Sequence, residues 1–264
     1  MMNAEKDLST IALERHGGVL AITLKKPERL NAWDTPMRSR IGLLLEQADA
    51  DPEVRAVVLT GAGDRSFCAG ADLNEISAAG DTSPEEYARK SMAHWRLFYR
   101  RILSLGKPLV AALNGLAAGS GFQMAMMADF RVAHPGVRMG QPEVRSGIPS
   151  VSGTTLMMRR LGSALAAEFA LSGRFMDAAE AQRLGLVSRM VPASDVLKEA
   201  IALAREMGEL STVAFRQTKA WLHESEMREI EAAYDYAEKA NVAALRDGDM
   251  AQRVQAFATK KNRR

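Results

Sequence analysis

Leu113-Asn114-Gly115-Leu116-Ala117-Ala118-Gly119-Ser120-Gly121-Phe122-Gln123 sets glycines and small residues between an apolar run and a segment with helical spacing. Phe67-Cys68-Ala69-Gly70-Ala71-Asp72-Leu73 makes a similar bend earlier in the chain. Backbone N–H groups at a junction from strand to helix have no helical acceptor and can point at an anionic oxygen. Two of them converging on one oxygen would form an oxyanion hole, which suits a reaction passing through an enolate.

Working outward, apolar segments flank His16-Gly17-Gly18 and predict a β-hairpin. Met37, Ile41, Leu44, Leu45 and Ala48 share one helical face in a helix running from Thr35 to Asp51-Pro52. Val54 to Thr60 reads as a buried strand, followed by a loop through Gly61, Gly63 and Gly70. Ser83-Pro84-Glu85-Glu86 is a capping box; its helix carries Met92, Trp95, Tyr99 and Ile102 on one face. Pro108 to Leu113 and Asp129 to Ala133 read as strands on either side of a helix that opens at Gly119 or Ser120. Asp177-Ala178-Ala179-Glu180 caps a short helix that Gly185 closes. This alternation predicts an α/β fold with parallel strands joined by crossovers. After Ser194 the pattern is helical only. Ile230, Tyr234, Ala237 and Ala244 share a face, as do Met250, Val254 and Phe257. These late helices are expected to find little sheet to cover and to pack across the core's edge or on another subunit.

With 264 residues, 47% of them hydrophobic, the chain suffices for one large domain or for one domain plus a small appendage. Its net charge of +3 and 6% aromatic content give no nucleic-acid surface. Part of the excess lies in Lys260, Lys261, Arg263 and Arg264, a solvated end. Cys68 is the only cysteine, which excludes an intrachain disulfide and suits a reducing interior. No apolar run is long enough for a bilayer, and the first residues are polar and mixed in charge. The expectation is a cytoplasmic protein with neither membrane nor nucleic acid as partner.

Several constellations admit a plainer reading. Gly119-Ser120-Gly121 could simply let a helix approach a strand, and Gln123 could be an exposed helical residue. Glu143, in Gly140-Gln141-Pro142-Glu143, is either a solvated loop glutamate or a proton shuttle whose pKa burial has raised. Gly61-Ala62-Gly63 lacks the third glycine of a dinucleotide fingerprint. Ser120 is flanked by Ala118 and Phe122, so the nucleophile-elbow spacing fails. His16, His94, His134 and His223 show no metal-ligand spacing, and no metal is expected. Met92, Trp95, Phe98, Met124 and Met157 could line a pocket, but stripes of this kind ordinarily form core.

Taken in order over residues 10–260, these pieces resemble the crotonase, or enoyl-CoA hydratase/isomerase, family. Lys26-Pro27-Glu28-Arg29-Leu30-Asn31-Ala32 resembles its early ligand loop. The stretches around Ala71 and Ser120 resemble its two oxyanion loops. Gly140-Gln141-Pro142-Glu143 with Gly147-Ile148-Pro149 resembles its catalytic-glutamate segment, and Leu171-Ser172-Gly173-Arg174 with Ala181 to Val187 its later part. The resemblance implies a spiral ββα core, residues 1–200, and a C-terminal helical region, residues 201–264, that forms homotrimers or dimers of trimers. It implies an acyl-CoA thioester as substrate, with coenzyme A belonging to the substrate and no separate cofactor. The thioester oxygen would be held by the N–H groups of Ala71 and Ser120. The pantetheine and adenine portions would lie against Leu30, Asn31, Ala32, Ala69, Asp72 and Leu73.

One departure bears on the chemistry. Hydratases of this family commonly set two glutamates around the attacking water, and this chain has Gln123 at the first position and Glu143 at the second. An amide can hold water but cannot take its proton. The leading expectation is therefore hydration of a 2-enoyl-CoA, with Gln123 holding water and Glu143 moving the proton. The alternatives are a 3-enoyl to 2-enoyl-CoA isomerase using one glutamate, and a catalytically silent acyl-CoA-binding protein. Ser120 also stands where the family usually has glycine.

Overall fold

The computed structural model describes residues 9–77, 82–250 and 252–254. Residues 1–7, Phe257 and the basic tail lie outside that range. The hairpin forms as its turn chemistry predicts. Gly17, at φ 67°, lets β1 (Ile11–His16) turn back antiparallel onto β2 (Val19–Leu24).

From there the chain winds as a spiral. Each turn lays one strand in a first sheet, one in a second, and then a helix. The first turn has β3 (Ala56–Gly61) and β4 (Ser66–Cys68), the second β5 (Leu109–Leu113) and β6 (Leu116–Ala118), and the third β7 (Phe130–Ala133) and β8 (Arg138–Gly140). With β9 (Phe175–Asp177) and β10 (Arg189–Met190), the sheet orders are β1-β2-β3-β5-β7-β10 and β4-β6-β8-β9. From β2 to β10 the first sheet is parallel. The helices are α1 (Thr35–Ala50), α2 (Asn74–Ser77), α3 (Pro84–Leu103), α4 (Ser120–Met127), α5 (Val151–Leu161), α6 (Ser163–Ser172), α7 (Ala178–Arg183), α8 (Val196–Gly208) and α9 (Thr212–Asp247). Two predicted caps form: the side chain of Ser83 accepts from Glu86 N–H, and that of Asp177 from Glu180 N–H.

The central strands β3 and β5 are buried at every position and almost wholly apolar because both faces are covered. Val57, Leu59, Leu109 and Ala111 face the main core with α1, α3 and α4. The alternate residues Ala56, Val58, Val110 and Ala112 face Ala200, Leu203 and Ala204 of α8. The late helices thus depart from expectation: α8 covers a full sheet face, and residue 200 lies inside it. The loop expected between Gly61 and Gly70 also holds a strand, β4, which pairs with β6. At three residues it is too short to show a period of two. Phe98, Met124 and Met157 belong to the core rather than to a cavity.

Helix α9 packs along α3 and α5. Ile230, Tyr234 and Ala237 are buried, as their spacing predicts. A buried ion pair fastens its first half. Lys219 Nζ donates to Asp129 Oδ2 at 2.6 Å and to Lys107 O at 2.9 Å, and Asp129 Oδ2 also accepts from Leu109 N–H at 2.7 Å. Asp129→Ala leaves a buried ammonium unpaired and should cost roughly 3–5 kcal/mol. Denaturant unfolding should show that loss, and Asp129→Ala/Lys219→Met should recover part of it.

Candidate active site

Asparagines fasten the loops that carry the site. Asn31, at φ 54° and fully buried, donates from Nδ2 to Ala62 O at 3.0 Å and to Ser66 O at 2.6 Å, while Oδ1 accepts from Lys26 N–H. Asn114 Nδ2 donates to Gly61 O and Gly63 O, and its Oδ1 accepts from Gly61 N–H. The early loop is laced to the first oxyanion loop as well. Ala69 N–H donates to Leu30 O, Trp33 N–H to Gly70 O and Asp72 N–H to Trp33 O, and Arg29 pairs with Asp72 at 2.8 Å. Leu30, Asn31, Ala32, Ala69, Asp72 and Leu73 therefore occupy one stitched rim, with the Asn31 side chain spent on holding it.

In this lacing Ala71 pairs with Trp33 through its neighbours, and its own N–H has no acceptor among the described residues. Ser120 is the first residue of α4, after Gly119 at φ 54° and with no side-chain cap. Its N–H is an orphan at the positive end of the helix. The two bends touch: a Cβ on Gly70 would stand 3.4 Å from Ser120 N, and one on Gly121 would stand 2.3 Å from Cys68 O. Only glycine at 121 lets the loops close to this spacing. Ser120 Oγ accepts from Trp33 Nε1 at 2.9 Å and donates to no acceptor among the described residues. That is no arrangement for an activated nucleophile. Cys68 is buried within β4, and burial pushes its thiol up to about 12, so it stays protonated.

Glu143 opens a 3-10 turn, Glu143–Ser146, that Gly147 ends at φ 70°. Met250, beyond α9, closes over that glycine, its Cα 3.0 Å from where a Cβ would stand. The Glu143 carboxylate reaches the mouth of α4: a Cβ on Gly119 would stand 2.7 Å from Oε1. Oε2 is buried without a partner, and burial pushes the carboxyl up to about 8. A buried proton acceptor thus sits beside the N-terminus of α4, where the Ser120 N–H is an orphan.

Gln123 is buried too, one turn into α4. Its Nε2 lies 3.5 Å from Glu143 Oε1, and its Oε1 accepts from Tyr99 and, at 3.1 Å, from Ser152. Sequence reasoning missed Tyr99 and Ser152. Tyr99 reads as one more apolar position of its helix, and only the parity between a polar hydroxyl and a core face hints otherwise. Gln141 is also fully buried, with neither amide atom partnered, and a Cβ on Gly153 would stand 2.4 Å from its Nε2. Among the described residues no cluster of histidine, cysteine or carboxylates could hold a metal, and no helix is long and apolar enough to cross a membrane.

Two bends, each with an amide unpaired among the described residues, and a buried carboxylate at the start of α4, lie on a ββα spiral. Comparison with known proteins places this arrangement in a family. Residues 14–264 match the family model described as enoyl-CoA hydratase/isomerase, and the chain belongs to that family of enzymes. Over 253 residues it is 34% identical to a probable enoyl-CoA hydratase of Mycobacterium bovis, covering 96% of each chain. It is 32% identical over 256 residues to a short-chain-enoyl-CoA hydratase of Clostridium acetobutylicum, with 97% of each covered. The crystal structure of an enoyl-CoA hydratase/isomerase from Mycobacterium paratuberculosis superposes with a TM-score of 0.85 at 28% identity, over 94% of this chain and 98% of that one.

Two outcomes follow from the packing around Glu143. Gly119→Ala forces its carboxylate out of place and should lower kcat/KM roughly a hundredfold in a thioester assay. Glu143→Gln removes a carboxyl that is held neutral in the fold but ionises freely when unfolded. The native state therefore binds the extra proton between the ordinary glutamate range and about 8, and wild-type stability falls as pH rises through that window. Thermal melts should show Glu143→Gln more stable than wild type at pH 9, with the two converging near pH 4.

Proposed function

We propose that this protein hydrates 2-enoyl-CoA thioesters. The observation that carries the reading is that the two glycine-rich bends touch at Gly70 and Ser120, each bearing an N–H with no acceptor among the described residues, while the buried Glu143 carboxylate lies against Gly119. The thioester carbonyl oxygen accepts from both N–H groups, and the negative charge that develops there lies at the N-terminus of α4. Such a donor lowers the barrier by about 3–4 kcal/mol. Water lies against the Gln123 amide. Glu143 takes a proton from it as the oxygen bonds to C3 and the electron pair of the double bond moves toward the thioester. Glu143 then returns the proton to C2. The carboxylate ends as it began, so one group serves both halves of the reaction.

Coenzyme A is part of the substrate in this reading, and no further cofactor takes part. The rim formed by Leu30, Ala32, Ala69, Asp72 and Leu73, with the buried Asn31 fastening it from beneath, holds the pantetheine and adenine portions. Assembly as a homotrimer or a pair of trimers is supported by Trp221, Leu222 and Tyr236, large side chains that α9 exposes. A cytoplasmic setting is supported by the lone, unreactive Cys68.

Incubation with a short 2-enoyl-CoA should yield a product heavier by one water. A 3-enoyl-CoA converted at unchanged mass, with no hydration of the 2-enoyl isomer, would overturn the reading. Glu143→Gln should lose turnover by roughly 10²–10⁴-fold while retaining affinity for the thioester. Because Glu143 begins both directions ionised, kcat/KM for hydration and for dehydration should rise together with pH through about 8. A flat profile from pH 6 to 9 would remove Glu143 from the proton transfer.

A further inference from the structure

Gln123 has one amide oxygen and two hydroxyls aimed at it. Tyr99, from α3, and Ser152, from α5, both donate to Gln123 Oε1. The Tyr99 hydroxyl also lies in hydrogen-bonding contact with Tyr234 of α9. Burial pushes both phenols above their ordinary range, so they stay protonated and remain donors. Rotating the amide by half a turn would set its N–H groups against these hydroxyls and its oxygen against the Glu143 carboxylate. The hydroxyls could still accept from the rotated amide, but its oxygen would then meet the ionised Glu143 carboxylate acceptor against acceptor, so the observed orientation is the one that keeps all three contacts matched.

We propose that Tyr99, with Ser152, is a positioning residue that locks the Gln123 amide with its N–H groups toward the reacting space. Gln123 then acts only as a donor. It steadies Glu143 through Oε1 and holds the attacking water by its oxygen, which leaves the water's protons free for Glu143. The chain thereby replaces a second carboxylate with a fixed donor and makes Glu143 the sole base. This rests on the hydratase reading for the water, but the lock itself is a property of the ligand-free protein.

The groups facing the Glu143 carboxyl can be named. Gln123 of α4 and the backbone N–H of Glu143 are its direct partners, and its charge in turn holds the Tyr99 phenol of α3 in the protonated form. Arg38 of α1 acts on Tyr99 and Tyr234. Arg145, on the turn of Glu143 itself, is directed to Ser172 O at 3.1 Å. Gln123 is therefore the one side-chain donor on the carboxylate among the described residues, beside the backbone N–H of Glu143 itself, and freeing the amide should disfavour the ionised form.

A double-mutant cycle tests this, read by ¹³C-carboxyl NMR of the ligand-free protein. The Glu143 resonance is identified by its loss in Glu143→Gln. In Tyr99→Phe/Ser152→Ala the titration of Glu143 should move to higher pH, and the rising limb of kcat/KM should move with it. The same variant should lose kcat roughly tenfold, the equivalent of one ordinary hydrogen bond, with KM within about twofold of wild type. Gln123→Met should produce the same titration shift, and adding the Tyr99→Phe/Ser152→Ala pair to it should add nothing further. The single variants Tyr99→Phe and Ser152→Ala, each followed by thermal melting, carry the test if the pair unfolds. An unchanged Glu143 titration, or an equal shift whether residue 123 is Gln or Met, would overturn the lock. Failure of the hydratase reading would show separately, as turnover that survives Glu143→Gln.

Discussion

The burial of one carboxylate beside the N-terminus of one helix is the constraint on which the site depends. Glu143 Oε1 occupies the space that a side chain at Gly119 would fill, and Oε2 has no partner among the described residues. A group in that position favours its neutral form and gains basicity from the lack of solvent. The fold sustains the cost because the surroundings are fixed on several sides. The spiral sets β6, α4 and β8 side by side, asparagines clamp the loops, and the segment beyond α9 closes over Gly147.

The same close packing generates the donors. An orphan N–H is unfavourable in a core unless something satisfies it, and the Ala71 and Ser120 amides are left free by different means. Ala71 sits between residues that carry its pairing with Trp33, while Ser120 begins a helix behind a glycine whose backbone no side chain caps. Gly70 and Gly121 let the two segments approach until they touch. The hydroxymethyl group of Ser120 is directed to Trp33, so substituting serine for glycine leaves the amide free and adds a tie to the early loop.

Much of the architecture was legible because it rests on local chemistry. The capping boxes at Ser83 and Asp177, the glycine turn at Gly17 and the apolar runs of the first sheet each signal one conformation. Glu143, Gln123, Ala71 and Ser120 were singled out through their motifs, and the structure sets Gln123 and Glu143 in contact at the start of α4, where the bend of Gly70 touches Ser120. What stayed hidden depends on contacts between distant segments. The second sheet is built of strands two or three pairs long, beneath any periodic signal. The covering role of α8 is visible only once the sheet beneath it is known. Tyr99 looks like core until α3, α4 and α5 are packed, when its hydroxyl alone meets the amide of Gln123.

A crystal structure with a non-reactive acyl-CoA thioester tests the central claim most directly. The account predicts the thioester oxygen about 2.7–3.1 Å from both Ala71 N and Ser120 N, with Glu143 on the opposite side of C2. A thioester oxygen bound elsewhere, or a Glu143 carboxylate out of reach of C2, would contradict it.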